Sequence, residues 1–590
     1  MIKILPTGTS AIVKHGLKPV RSNKARGRLG DGAKEHTFET GPVSIHAVWK
    51  DNKLEAALKI DSEIYIRSIT LDFRFRSPRY SGDTTLWIEA FNDVFKTGKL
   101  RTVPGIFSQK TNRDGAFALW IAEDPDTDGL FFRQSPPGDY PLRFHCKPLA
   151  RILKITWDIN RTFDEGESLN LPAVGISRGR MNKLLPSWRR EWERASRREL
   201  LQDRRVGWCG GKELQAPKDL REILSSIKSR KIKIDWFSVG PKYASEYGDW
   251  LLPSEAFKDR MGSLSRTIGE QGMAPGLRFA PLLVSKKSVL SDEKREWLVR
   301  TPKGSPVTVP GYCGEKESLY VLDVTRADVI EHLKKTFTVM RDQWGFRAYY
   351  LERMNAAAVT GIRDDNKIGE SALLKTTAEV IRGTLGNKIL ILASGLPRIT
   401  TSDIWDARVL TPGIITTGGS RKKRHALMSV TSSLLHSSHW NESTWINASG
   451  MLPLSIFHQD CDLSTQSLKT AVILSSGMVT FTGDPRSMED NVGSSITDFL
   501  ELFHKCRTGK LSIVPGIGGG SDRPLIVRNS TGWVGLFNFS NRKKEVRLAR
   551  DDMKTNLGVS TALSAGDSTI FNSPEIHVAL PPMGYRLFRG

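Results

Sequence analysis

Cysteine is scarce in this chain. There are five in 590 residues, at Cys146, Cys209, Cys313, Cys461 and Cys506. They are far apart and form no C-x-x-C pair, which argues against a zinc site and against a disulfide scaffold. No window approaches the ~18 consecutive apolar residues that span a bilayer, so no membrane span is expected. The opening stretch MIKILPTGTSAIVKHG lacks an apolar core of signal-peptide length. The five N-x-S/T matches, at Asn160, Asn441, Asn447, Asn529 and Asn538, therefore carry no weight, and a reducing, cytoplasmic location is expected. The Gly-rich GIGGGSD at 516–522 has no helix with Lys or Ser/Thr in P-loop register after it and reads as an interdomain loop. No metal-ligand set emerges, and no cofactor is expected. Acidic residues are also in deficit, 64 against 87 Lys and Arg, for a net charge of +23. Such a field favours anionic partners but says nothing about fold.

What is present is apolar and aromatic in quantity: 39% hydrophobic, with 15 Trp and 24 Phe, enough for large cores. From 40 to about 175, short alternating runs such as SIHAVW, IYIRSITLDFRF and LARILKITWDI are separated by RDG, TDG and PPGDY turns, the pattern of an antiparallel sandwich. Residues 1–35 are basic and Gly-rich and read as partly unstructured. The stretch 178–205 places Leu185, Trp188 and Trp192 on one helical face and Arg on the other, a connecting helix with a solvated basic side. From 206 on, strand-like runs (VGWCGG, KIDWFSV, PGLRFAPLL, LYVLDV, FRAYYLE, ILILAS, ARVLTPGII, VTFTGD) alternate with helix-like runs at 216–230, 254–272, 326–343, 367–386 and 422–436. About eight such units suit a (β/α)8 barrel. β patterning returns at the C-terminus. The expected division is a sandwich over 1–177, a linker helix over 178–205, a barrel over 206–510 and a small sandwich over 511–590.

Seven stretches then suggest a family. KIDWFSVGPKYASEYGDW, QGMAPGLRFAPLLVSKKSVL, LYVLDVTRADVIEHL, WGFRAYYLERMNAAAVTGIR, ILASGLPRITTSDIWDARV, FHQDCD and the tail WVGLFNFS…VALPPMGYRLFR follow one another in the order of motifs in the retaining α-galactosidase (melibiase) clan. The chain resembles that clan from about residue 206 to 590. The resemblance implies a TIM barrel between two β-sandwiches, a carbohydrate substrate and glycosidase chemistry.

The departures fall at the clan's working positions. Where the clan's fourth strand ends in K-x-Asp with a nucleophilic Asp, this chain has Tyr350-Leu351-Glu352. Where strand two ends in sugar-binding aspartates, it has Gly240-Pro241-Lys242, and Arg278 stands where Trp is common. Counting from Arg408, the acid/base position falls on Pro412 or Gly413. Asp249 and Trp250 of the GDW motif are kept, as is Asp460, whereas His458 replaces an Asp.

Retaining glycosidases need two carboxyl groups about 5–5.5 Å apart at the C-terminal ends of barrel strands. Glu352 is the candidate nucleophile, with a residual carboxylate in a degenerate site as the alternative. Asp406 is the candidate acid at an expected strand end, with a loop cap or pairing with Arg408 as the alternative; Asp403 is a lesser candidate. Tyr350, on the same strand face as Glu352, is a candidate tyrosine nucleophile with Glu352 as its base. Lys242, Arg278 and Arg353 would give the pocket a positive sign suited to a ligand acid group. Asp249, Trp250, Arg408 and Asp460 complete the candidate substrate contacts. RKKRH at 421–425 reads as a solvated loop run, and His425 and His458 as structural or surface groups. The expected activity is hydrolysis of an α-linked, and in one version anionic, sugar. The alternative is a degenerate barrel that binds a glycan or protein. A nucleic-acid role rests on net charge alone, and an oligomer is left open.

Overall fold

The computed structural model describes residues 3–4, 9–15, 24–27, 35–50, 52–76, 85–88, 105–108, 113–122, 128–136, 139–147, 152–196, 199–201, 203–311, 317–395, 401, 403–410, 421–507, 510–513, 524–549, 560–561, 568–569 and 575–589. The expected loop at 516–522 lies outside them.

Two antiparallel sheets make the N-terminal part. One contains Ile64–Arg76 paired with Ile152–Phe163; the other contains Val43–Lys50, Lys53–Ile60 and Ser168–Gly179. The segment KLEAALKI shows why: Leu54, Ala56, Leu58 and Ile60 alternate with more exposed neighbours, so period two sends every second side chain inward. These residues meet Ile69, Leu71, Ile155 and Trp157 in one core. Thr9–His15 and Lys24–Gly27, from the basic stretch expected to be partly unstructured, join the first sheet.

The helix Met181–Ala195 buries Met181, Leu185, Trp188 and Trp192 along one stripe. Trp188 packs on Phe131 of the sandwich at 5.8 Å and on Trp440 of the barrel at 4.8 Å, and its Nε1 donates to Gln134 O at 2.8 Å. The helix thus fastens sandwich to barrel by its apolar side.

Eight parallel strands close the barrel: β1 (Val206–Cys209), β2 (Trp236–Val239), β3 (Ala274–Phe279), β4 (Ala348–Leu351), β5 (Leu390–Ala393), β6 (Ala407–Val409), β7 (Ile446–Pro453) and β8 (Met478–Thr482). Cys209, Trp236, Ala348, Tyr350, Leu392, Ala407, Ala448 and Met478 fill the interior, while Phe237, Val239, Tyr349 and Leu351 face the helices. Gly207 is required opposite Trp236, because a Cβ there would collide with the indole. Helices follow every strand but one; between β5 and β6 the described residues form no helix.

Two strand assignments change. LYVLDV is not a barrel strand: Leu319–Val321 belongs to a three-stranded sheet with Leu283–Val284 and Thr308–Val309, an excursion between β3 and β4. The seventh strand is INASGMLP, buried along nearly its whole length. Its Asn, Ser and Gly gave no strand signal. The RKKRH run opens the helix Arg421–His436 and is not a loop. At the C-terminus, Leu511–Ile513, Leu525–Asn529, Trp533–Phe537 and Tyr585–Arg589 form one sheet, and Lys544–Ala549 with Glu575–Leu580 a second, packed through Ile526, Val534, Val546 and Val578.

Candidate active site

Glu352 follows β4 directly. Ala348 and Tyr350 point into the barrel, so alternation sends Glu352 inward at the C-terminal end, the face where TIM barrels build their sites. Both neighbouring strands hold this end. Glu352 N–H donates to Phe279 O at 2.9 Å, and Ser394 N–H donates to Leu351 O at 2.9 Å.

Arg278 lies on the inner face of β3. Its Nη1 donates to Glu352 Oε1 at 3.3 Å, and its Nη2 lies 3.5 Å from Gly210 O. The side chains are 4% and 0% exposed, so the pair is withdrawn from water. A lone carboxylate at that depth would carry a large desolvation cost, which the guanidinium offsets. Gly240 lies close by: a Cβ there would collide with Gly210 O at 2.5 Å and stand 3.3 Å from Arg278 Nη2.

The backbone turns sharply after Glu352. Arg353 adopts the left-handed region, φ 55°, which costs a non-glycine residue about 1–3 kcal/mol and is held only where surroundings fix it. Its N–H donates to Ser394 Oγ at 3.3 Å, and Met354 N–H donates to Ser394 O at 3.1 Å. Gly395, φ +79°, lets Asn355 and Arg353 approach, since a Cβ there would collide with Asn355 Oδ1. The loops after β4 and β5 thus interlock around the candidate nucleophile. Ser394, Asn355 and Gly395 were not singled out from sequence; the one available signal was the ASG triplet after an apolar strand.

Other candidates lie apart from this pair. Lys242 is exposed in the turn Pro241–Tyr243 after β2, and Asp460 and His458 are exposed in the loop after β7, all on the mouth side. Tyr350 is 1% exposed among Trp236, Leu392 and Met451, one layer deeper than Glu352.

Four expectations are corrected. Asp406 is not at the mouth: it precedes β6, at the barrel's N-terminal end. Its Oδ2 accepts from Arg382 Nη2 at 2.8 Å and from Ile391 N–H at 2.8 Å. Arg408 alternates with the inward Ala407 and points outward, its guanidinium 4.5 Å over Trp445 and donating to Thr401 Oγ1 at 2.9 Å. Asp249 accepts from Val289 N–H at 2.9 Å and Leu290 N–H at 3.1 Å, capping a short helix. Burial raises its pKa, partly offset by those two bonds. Trp250 is buried between Tyr247 at 5.2 Å and Phe279 at 5.1 Å and serves as loop core. Asp403 is exposed in the connection leading to β6. Pro412, Gly413 and the His425 side chain lie outside the described residues. Among the described residues, no group of three His, Cys, Asp or Glu could hold a metal ion, and no helix is long and apolar enough to cross a membrane.

Known proteins share this plan. Residues 224–360 match the Melibiase family model, a span that includes β2, β3 and β4 with Arg278 and Glu352. A 98-residue stretch is 29% identical to the alpha-galactosidase Mel36A of Lactobacillus acidophilus, covering 17% of this chain and 12% of that relative's length. The solved alpha-galactosidase TtGalA of Thermus thermophilus superposes with TM-score 0.60 at 15% identity, over 84% of this chain and 98% of its own. The GH36 alpha-galactosidase AgaB of Geobacillus stearothermophilus gives TM-score 0.60 at 11% identity, over 100% of this chain and 87% of its own. At those identities the superpositions speak for the fold. The class of fold is a TIM barrel between β-sandwiches, the architecture of these solved alpha-galactosidases. Within that fold, residues 224–360 form a melibiase-type segment in the first half of the barrel.

Proposed function

We propose that this protein is a glycoside hydrolase related to the α-galactosidases, acting on an α-linked sugar with Glu352 as nucleophile. The observation that supports it is a buried carboxylate at the C-terminal end of β4, inside the melibiase-type segment and held by both neighbouring strands. In the proposed reaction a Glu352 oxygen bonds to the anomeric carbon as that carbon's bond to the leaving oxygen breaks. The leaving oxygen takes a proton from solvent. Water then cleaves the glycosyl ester, and the carboxylate is restored.

Arg278 sets the electrostatics. It keeps a cation beside Glu352 through the reaction and offers a charge-assisted hydrogen bond to an acid group on the ligand, which favours an anionic sugar over a neutral one. Lys242, Arg353 and Asp460 are the proposed substrate contacts around the mouth. Tyr350 lies deeper than Glu352, which ranks the tyrosine as support and not as attacking group. With Asp406 engaged at the far end of the barrel, acid assistance is weak, so the rate should depend steeply on how well the leaving group departs.

The test is hydrolysis of paired substrates, a nitrophenyl and a methyl α-galactoside, and a carboxylate-bearing counterpart of each. The nitrophenyl members should react and the methyl members lag far behind. Tyr350→Phe should retain turnover. Equal rates for the two leaving groups would contradict weak acid assistance. Absence of turnover on every member would contradict the hydrolase and leave a binding protein.

A further inference from the structure

Away from the barrel mouth, a cleft of about 750 Å3 opens between the N-terminal sandwich and the helix Glu370–Leu385 that follows β4. Its size is within the range of ligand pockets, about 300–1,000 Å3. On the barrel side it is lined by Ser371, Lys375 and Glu379, spaced i, i+4, i+8 along one helical stripe. On the sandwich side stand Lys53, Asp139 and Tyr140.

Ser371 is the informative group. It is 3% exposed, and its Oγ has no hydrogen-bond partner within the protein. Buried hydroxyls are nearly always bonded, so one that lines a cleft unpaired points to something that enters it. The wall is also built for close approach. Tyr140 adopts the left-handed region, φ 52°, and its ring comes so near the helix start that a Cβ at Gly369 would stand 3.2 Å from Tyr140 Cε1.

The charges of the lining decide the ligand class. Two ammonium groups and two carboxylates sum to no net charge. An anion would face Asp139 and Glu379, a cation would face the two lysines, and an apolar guest would leave Ser371 unpaired. Interleaved donors and acceptors beside an aromatic ring suit a neutral polyhydroxylated molecule. We infer that this cleft is a second, non-catalytic site for a neutral oligosaccharide. The inference stands independently of turnover at Glu352.

Calorimetric titration of the full chain with raffinose, maltotriose and inorganic phosphate tests it. At least one trisaccharide should bind saturably and phosphate should not. Ser371→Ala should weaken that binding about five-fold, the worth of one hydrogen bond. Thr376→Trp, which fills the cleft from an exposed helix position, should abolish it without changing the melting temperature. No trisaccharide binding to the native chain would overturn the inference. So would binding that Thr376→Trp leaves intact, which would assign the sugar to the barrel mouth, or binding of phosphate in place of sugar.

Discussion

The pair Arg278–Glu352 shows how one residue's chemistry is bought by another's position. Glu352 can be withdrawn from water because Arg278 accompanies it. The substitutions were legible in sequence as separate departures from a motif; their contact was not, because it joins β3 to β4 across 74 positions. Cys146 offers a cleaner residue-scale test. Burial pushes its thiol pKa up to about 12, against about 8.5 in an unfolded chain. A raised pKa stabilises the fold fully below the unfolded value and loses that contribution as pH climbs from about 8.5 towards 12. Urea unfolding at pH 8 and pH 10 should therefore show a drop that Cys146→Val lacks, worth about 2 kcal/mol over that interval. Parallel losses in the two proteins would contradict it.

Among elements, the start of β6 carries two of the corrected site residues, Asp406 and Arg408. An aspartate beside a Trp at an expected strand end looks catalytic, but strand polarity puts Asp406 at the start of β6, and sequence patterning marks a strand without marking which end lies beside a neighbour's active face. The helix Glu370–Leu385 reveals its purpose through Arg382, which binds Asp406 and also Ile404 O and Ile389 O. Asp406→Ala should then destabilise the fold by about 3–5 kcal/mol, since it strands a buried guanidinium, while kcat/KM of the remaining folded protein changes little. A large loss of kcat/KM at unchanged stability would return Asp406 to the mechanism. Gly395→Ala makes the complementary prediction. It adds a Cβ in a positive-φ turn against Asn355, so it should lower both stability, by about 1 kcal/mol or more, and activity, by displacing the loop behind Glu352. Full activity in Gly395→Ala would show that the interlocked loops do not position the carboxylate.

For the whole molecule, periodicity carried most of the architecture. The helix-like runs at 216–230 and 367–386 meet helices at Pro217–Ser229 and Glu370–Leu385, because their apolar stripes are continuous. The barrel strands rich in Val, Ile, Leu and Trp were also visible. What escaped were elements placed by position and not by composition: INASGMLP, enclosed between β6 and β8, and the early strands that pair into the first sheet. The same limit applied to the site. A carboxylate at the mouth and a cation for its pocket could be read from motifs, whereas their direct contact, the left-handed neighbour and the buttress from β5 are products of closure. The proposed attack of Glu352 on the anomeric carbon is tested most directly by covalent trapping. Incubation with a slow-releasing 2-fluoroglycosyl donor, followed by intact mass measurement and peptide mapping, should show one glycosyl unit esterified to Glu352 and none on Glu352→Gln. An adduct on Tyr350, or turnover by the native chain with no adduct at Glu352, would contradict the account.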